Sequence, residues 1–134
     1  MSSNSPKNES ILAFENEVDA PSDNLLAVTI DGVSVQVKEG VTILAAAARA
    51  GVKIPTLCFL KDVSNIGSCR MCVCEVAGQQ ALVPACNTPV VNGMEVITDS
   101  LRVRAARKMA LELIMANHRT QCLTCVKNGA CELQ

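Results

Sequence analysis

Aromatic side chains are almost missing from this chain: they make up 1% of its 134 residues, and Trp and Tyr do not occur. Apolar residues nevertheless reach 49%, so the core must consist of Val, Leu, Ile, Ala and Met, and we expect it to be small. The formal net charge of −1 gives the chain no bulk attraction to nucleic acid or to an anionic membrane. We therefore expect no nucleic-acid partner.

Long apolar segments are also missing. No apolar run reaches the roughly 18 residues of a membrane span, and the first ten residues, MSSNSPKNES, lack the basic and apolar regions of a secretory signal. We therefore expect a cytoplasmic protein without direct membrane insertion. In a reducing cytoplasm, its eight cysteines are expected to be ligands or free thiols rather than disulfides.

The order of local signals predicts a mixed sheet over one helix. Residues 1–24, rich in Ser, Asn, Glu and Asp, predict a mobile tail, with a partner-docking peptide as the alternative. From Leu25, LLAVTI and VSVQVK flank Asp31-Gly32, which is typical of a β-hairpin. Thr42 is placed to N-cap a short helix, ILAAAARA, that Gly51 ends.

Further strands follow the cysteine-rich middle of the chain. They are predicted over residues 71–76, over residues 81–83 and at MEVIT, with turns at Gly78 and at Asn92-Gly93. From Asp99 or Ser100 the segment LRVRAARKMALELIMAN predicts a helix. We therefore predict an α+β domain over residues 25–99 and a small helical module over residues 100–134.

The first set of candidate ligands is cysteine only: Cys58, Cys69, Cys72 and Cys86. Four thiolates can hold one tetrahedral metal ion, or two irons bridged by two sulfides. The loop directly before Cys69, residues 65–68 (NIGS), contains small residues that let the backbone curl and aim N–H groups at a buried anion. The pattern favours an iron–sulfur cluster, and zinc remains the alternative.

The second set contains the only histidine of the chain: His118, Cys122, Cys125 and Cys131. Three thiolates and one imidazole complete the four-ligand shell that a cubane cluster or one zinc ion requires. Asn128-Gly129 supplies a turn that lets the chain double back to present Cys131.

Two features remain outside these sets. Cys74 is predicted to be a small buried side chain, with an extra ligand as the alternative. The basic cluster of residues 102–108 (Arg102, Arg104, Arg107 and Lys108) predicts a solvated face, with a docking patch as the alternative. The chain has no candidate nucleophile, phosphate-cradling glycine loop or acid/base pair, so we expect no bond-making active site.

Two segments carry a family resemblance. IPTLCFLKDVSNIGSCRMCVCEV with LVPACNTPV resembles the N-terminal [2Fe–2S] domain of cytoplasmic [FeFe]-hydrogenases, of the large iron–sulfur subunit of respiratory complex I and of NAD(P)-linked formate dehydrogenases. ANHRTQCLTCVKNGACELQ resembles the [4Fe–4S] motif of one histidine and three cysteines that follows in these proteins. The resemblance covers about residues 25–134 and implies a β-grasp [2Fe–2S] ferredoxin-like fold before the helical module.

The resemblance also implies cofactors and partners. One [2Fe–2S] cluster would be held by the first set of ligands and one [4Fe–4S] cluster by the second. The expected function is electron transfer between a flavoprotein partner and another redox centre, beside other iron–sulfur subunits of an NAD(P)H-linked, multi-subunit oxidoreductase. The sequence leaves electron bifurcation open.

The family continues past CELQ into further clusters and a catalytic domain. We therefore expect either a separate electron-transfer subunit or the front end of a longer protein. A zinc-stabilised interaction module and a free ferredoxin-like shuttle are the alternative functions.

Overall fold

The computed structural model describes residues 25–131 and 133–134, so the prediction for residues 1–24 lies outside the described residues. The described chain is α+β, as predicted, with two strands before the first helix and three strands between the first helix and the second. In chain order they are β1 (Leu25–Ile30), β2 (Val33–Lys38), α1 (Ile43–Arg49), β3 (Val73–Val76), β4 (Val83–Pro84), β5 (Met94–Ile97) and α2 (Leu101–Ala116).

The predicted hairpin is confirmed. Asp31 and Gly32 both have positive φ, +48° and +84°, as a two-residue turn that matches the twist of its strands requires. β1 and β2 pair along their whole length, from Leu25 opposite Lys38 to Ile30 opposite Val33. Burial on β2 increases away from the turn: Val33 is exposed and Val37 is fully buried.

The strand predicted at MEVIT is β5, and it is the central strand of the sheet. The strand order is β2-β1-β5-β3-β4, in which β5 runs parallel to β1 and antiparallel to β3. Two parallel neighbouring strands need a long connection, because the chain must return to the end of the sheet at which the first strand began. The segment between β1 and β5, which contains β2, α1 and the first cysteine set, supplies this connection.

α1 packs on the sheet through small side chains. Thr42 accepts a hydrogen bond from the Ala45 N–H at 3.4 Å and caps the helix as predicted, and Gly51 ends it at φ +76°. The core is aliphatic apart from three cysteines. Its buried members are Val28, Ile30, Val37, Ile43, Leu44, Ala46, Ala47, Ile54, Cys72, Cys74, Val76, Ala85, Cys86, Val90, Met94 and Val96.

α2 begins at the predicted cap, where the Ser100 side chain accepts a hydrogen bond from the Val103 N–H at 3.1 Å. Only Val103 of this helix is buried. Neither helix of the described residues has the length and apolar character that a membrane crossing requires. The division of the chain at residues 99 and 100 stays a prediction.

The basic half of α2 binds the rest of the fold. Arg102 donates to the Gln80 carbonyl and forms an ion pair with Glu75. Arg107 is half-buried and donates to the carbonyl of Val73 in β3 at 2.8 Å. The interpretation of this cluster as a solvated face is therefore wrong for Arg107, because its guanidinium lies between the helix and the sheet.

A buried threonine depends on the hairpin turn. Thr98 is 4% exposed, and its N–H and hydroxyl donate to the two carboxylate oxygens of Asp31 at 2.8 and 2.5 Å. Asp31→Ala is expected to lower the free energy of unfolding by about 2 kcal/mol, because two donors lose their acceptor. Urea unfolding measures this, and Ser34→Ala on the exposed side of the same hairpin should change it by less than about 0.5 kcal/mol. Equal effects of the two substitutions would contradict the assigned role of Asp31.

Candidate metal centres

The sheet fixes two of the four cysteines in the first set. Cys72 directly precedes β3, and Cys86 follows β4 by two residues. Val73 pairs with Pro84, and the Ala85 N–H donates to the Cys72 carbonyl at 3.0 Å. Each cysteine is 1% exposed. The β3–β4 pairing therefore brings together two thiols that lie fourteen positions apart in the sequence.

The N-terminus of α1 supports the same segment. The Leu44 N–H donates to the Ala85 carbonyl and the Ile43 N–H to the Thr88 carbonyl, each at 2.9 Å. These first-turn N–H groups have no partner inside the helix and are therefore free to bind the loop around Cys86. Sequence reasoning missed this contact. Its only signal was Thr42, which marks where the free N–H groups begin.

The other two cysteines, Cys58 and Cys69, lie at the half-buried rim of the loop. The Cys69 N–H donates to Cys58 Sγ at 3.5 Å. Burial alone would raise the pKa of Cys69, but hydrogen bonds from Met71, Cys58 and Leu57 together hold this pKa below its ordinary value. Because the thiolate is the form of cysteine that binds metals, this rim is suited to hold a ligand anion.

The loop reaches this arrangement through residues with positive φ. Gly67 has φ +65° and Arg70 has φ +59°. A Cβ at Gly67 would lie 2.9 Å from Nδ2 of Asn87, the residue after Cys86. The loop before Cys69 therefore lies against the segment that carries Cys86, and the predicted need for a small residue is confirmed at Gly67.

The other three cysteines of the first set all act on Cys86. Burial raises the pKa of Cys86 to about 12, with further contributions from a hydrogen bond with the Cys72 thiol and from the charges of Cys72, Cys58 and Cys69. The structure thus places the contact between Cys58 and Cys69 near the buried pair of Cys72 and Cys86. No three side chains of this set are grouped closely enough in the described chain to hold a single metal ion, so their ligand role stays a prediction. Four thiols with backbone donors at the rim are the donor set that an iron–sulfur cluster uses.

Cys74 lies in β3 and is fully buried. Its Sγ donates to the Val83 carbonyl at 3.5 Å, and burial followed by the charge of Cys72 raises its pKa to about 12. Its prediction as a small buried side chain is confirmed.

The second set lies beyond the end of α2. His118 is exposed, and its N–H donates to the Met115 carbonyl at 3.1 Å. A short 3-10 turn covers Cys122–Thr124 and is followed by the exposed Cys125. Gly129 has φ +81°, so the predicted Asn128-Gly129 turn is confirmed.

Backbone turns and one glutamine hold this second segment. The side chain of Gln134 accepts from the Gly129 N–H at 3.0 Å and donates to Asn128 Oδ1 at 3.1 Å. Two apolar side chains, Leu123 and Val126, are 92% and 99% exposed. Within residues 25–131 and 133–134, no three His, Cys, Asp or Glu side chains are grouped closely enough to hold a single metal ion. The structure therefore does not gather His118, Cys122, Cys125 and Cys131, and their ligand role stays a prediction.

The burial of Cys74 makes stability depend on pH. Its folded pKa of about 12 lies above the ordinary value of 9.0, so the unfolded chain loses this thiol proton first as the pH rises. The contribution of Cys74 to stability is complete below pH 9 and is lost progressively towards pH 12, by at most about 1.4 kcal/mol per pH unit. Urea unfolding at pH 8 and pH 10 under reducing conditions measures the loss. Cys74→Ala should show a shallower loss, and an identical slope would contradict the assignment.

Family comparisons agree with both candidate regions. The 2Fe-2S iron-sulfur cluster binding domain matches residues 23–100, and the NADH-ubiquinone oxidoreductase-G iron-sulfur binding region matches residues 107–134. The resemblance seen in the sequence and the ferredoxin-like fold are thereby confirmed. Both matched regions are iron–sulfur cluster-binding regions.

Individual relatives are much longer proteins. The chain is 48% identical over 116 residues to the NADP-reducing hydrogenase subunit HndD of Solidesulfovibrio fructosivorans, a match covering 83% of this chain and 20% of that protein. It is 40% identical over 110 residues to the NADH-ubiquinone oxidoreductase 75 kDa subunit of Reclinomonas americana, a match covering 82% of this chain and 16% of that protein. The chain therefore spans a fifth or less of these two relatives.

A solved structure shares the fold. The crystal structure of an NAD+-reducing [NiFe]-hydrogenase in the H2-reduced state contains a chain that superposes with a TM-score of 0.73 at 36% sequence identity. The match covers 81% of the present chain and 46% of that chain.

Proposed function

The chain belongs to the 2Fe-2S iron-sulfur cluster binding domain family, and from this membership we propose that it carries electrons through two iron–sulfur clusters within a larger oxidoreductase. Cys58, Cys69, Cys72 and Cys86 are the proposed ligands of one [2Fe–2S] cluster. His118, Cys122, Cys125 and Cys131 are the proposed ligands of one [4Fe–4S] cluster. The observation that supports the proposal is that Cys58 contacts Cys69, that Cys72 contacts Cys86, and that the charges of the other three cysteines all act on Cys86.

The residues of the chain have separate tasks in this proposal. The backbone donors around Cys69 stabilise its thiolate, and the β3–β4 pairing holds Cys72 and Cys86 away from water. When bound, such clusters accept and release one electron at a time. Burial, hydrogen bonds to sulfur and nearby charge are the means by which the protein sets the energy of that electron.

The second ligand set is less negatively charged than the first, because it contains three thiolates instead of four. An imidazole in place of one thiolate makes the ligand shell less negative, which favours an added electron compared with four thiolates. α2 contacts β3 through Arg107 and ends at Ala116, two residues before His118, so one helix joins the two proposed ligand sets. This connection supports a role for the chain as two electron carriers in series.

The relatives suggest the wider setting. Their names describe subunits of an NADP-reducing hydrogenase and of an NADH-ubiquinone oxidoreductase. For this chain we propose a flavin-bearing partner and further iron–sulfur subunits in an NAD(P)H-linked complex. The task that we propose for this chain within such a complex is electron transfer.

Substitution of one ligand in each set tests the cluster assignment. Cys69→Ser is expected to remove the iron and the EPR signal of the [2Fe–2S] centre only, and Cys125→Ser those of the [4Fe–4S] centre only, because each loses a thiolate. Cys74→Ala is the matched control and should keep both centres, at a stability cost of about 1 kcal/mol. Iron and acid-labile sulfide analysis with EPR of anaerobically purified protein gives the answer. A colourless protein with stoichiometric zinc and no sulfide would establish the zinc alternative instead.

The protein's partners distinguish a subunit from a shuttle. We expect the tagged chain, purified anaerobically from its native source, to retain a flavin-containing subunit through a high-salt wash. Flavin absorbance and mass spectrometry of the retained chains measure this. A monomer that carries both clusters and retains no flavoprotein would favour the free ferredoxin-like shuttle.

A further inference from the structure

Arg107 places a cation beside the first ligand set. The residue lies on α2, and its Nη2 donates to the Val73 carbonyl at 2.8 Å. Val73 directly follows Cys72, so the guanidinium is bound to the strand that leaves this cysteine. Its Nε is also buried and has no hydrogen-bond partner among the described residues. Arg107 is thus a donor-rich cation held against the cysteine-bearing strand.

The charge of Arg107 is not cancelled by a direct ion pair in the described chain. The carboxylate of Asp99 is held by Arg104 through two hydrogen bonds of 2.6 Å, and that of Asp31 accepts both bonds from Thr98. Burial lowers the pKa of Arg107, and the charges of Asp99, Cys74, Cys72 and Asp31 act in the opposite direction. The guanidinium stays charged at any ordinary pH. Its field therefore reaches Cys72, a cysteine of the first set.

We propose that Arg107 raises the reduction potential of the centre held by Cys58, Cys69, Cys72 and Cys86. The inference rests on the proposed function, because it requires that centre to be an iron–sulfur cluster. An added electron makes the centre more negative, and a fixed cation nearby stabilises that state more than the oxidised one. Salt screens this attraction only weakly, because the guanidinium is half-buried.

Two substitutions separate charge from packing. Arg107→Gln keeps N–H donors for the Val73 carbonyl and removes the charge, whereas Arg107→Lys keeps the charge. We expect Arg107→Gln to shift the one-electron equilibrium of the [2Fe–2S] centre about tenfold towards the oxidised form, which is a fall of about 59 mV in midpoint potential. Arg107→Lys should stay close to the wild-type potential. EPR-monitored redox titration of the full cluster-loaded chain measures both.

The neighbouring Lys108 provides the matched control. It lies on the same helix, its side chain is 78% exposed, and its ion-pair partner Glu112 is on the same helix. Lys108→Met removes the same charge at a position that water and salt screen, so the potential of the [2Fe–2S] centre should change little.

The second centre is an internal control for a displaced helix. Ala116 ends α2 nine residues beyond Arg107, about 14 Å along the helix axis. This separation exceeds the Debye length of about 8 Å at physiological ionic strength, so the [4Fe–4S] potential should change less than the [2Fe–2S] potential.

The results of these titrations distinguish a failure of this inference from a failure of the proposed function. An unchanged [2Fe–2S] potential in an Arg107→Gln variant with full iron content would overturn the inference alone. An equal fall at both centres, or an equal fall in Arg107→Lys, would also overturn it, because both indicate a rearrangement rather than a lost charge. A wild-type chain without [2Fe–2S] iron would overturn the proposed function and this inference together.

Discussion

The pairing of Val73 with Pro84 is the contact on which the first ligand set depends. This pairing involves only two residues of β4, yet it holds two buried thiols at the end of the sheet. The free N–H groups at the start of α1 bind the Ala85 and Thr88 carbonyls and prevent this short strand from separating. Small alanine side chains on α1 allow the helix to lie close enough for these bonds.

Features set by neighbouring residues could be predicted from the sequence. The hairpin at Asp31-Gly32, the caps at Thr42 and Ser100 and the turn at Asn128-Gly129 each depend on side-chain or backbone chemistry within a few residues. The central position of β5 could not be predicted in this way, because it depends on contacts with β1 and β3 that are distant in sequence. The sequence predicts a strand from residue 71, but β3 begins at Val73. Met71 and Cys72 belong instead to the loop that carries the candidate ligands.

The two ligand sets had equally clear spacing but differ in the structure. The first set is part of a domain with its own apolar core, which positions the thiols through ordinary packing. The second lies in a short segment whose apolar side chains are exposed. In such small modules the free energy of metal binding supplies much of the free energy of folding, so spacing alone does not predict how the side chains are placed. The position of Arg107 was also hidden, because a run of basic residues does not reveal which of them faces the sheet.

The central strand has a consequence for how the protein is made. Among the strands of the described residues β5 is the last to be synthesised, although it pairs with both β1 and β3 in the sheet. β1 and β2 can form their hairpin at once, whereas β3 gains its central neighbour only when residues 94–97 emerge. The cysteines of the first set all precede residues 94–97 in the sequence and are therefore synthesised before β5. The core that buries Cys72 and Cys86 includes Met94 and Val96, so it can be completed only after the residues of β5 have been synthesised.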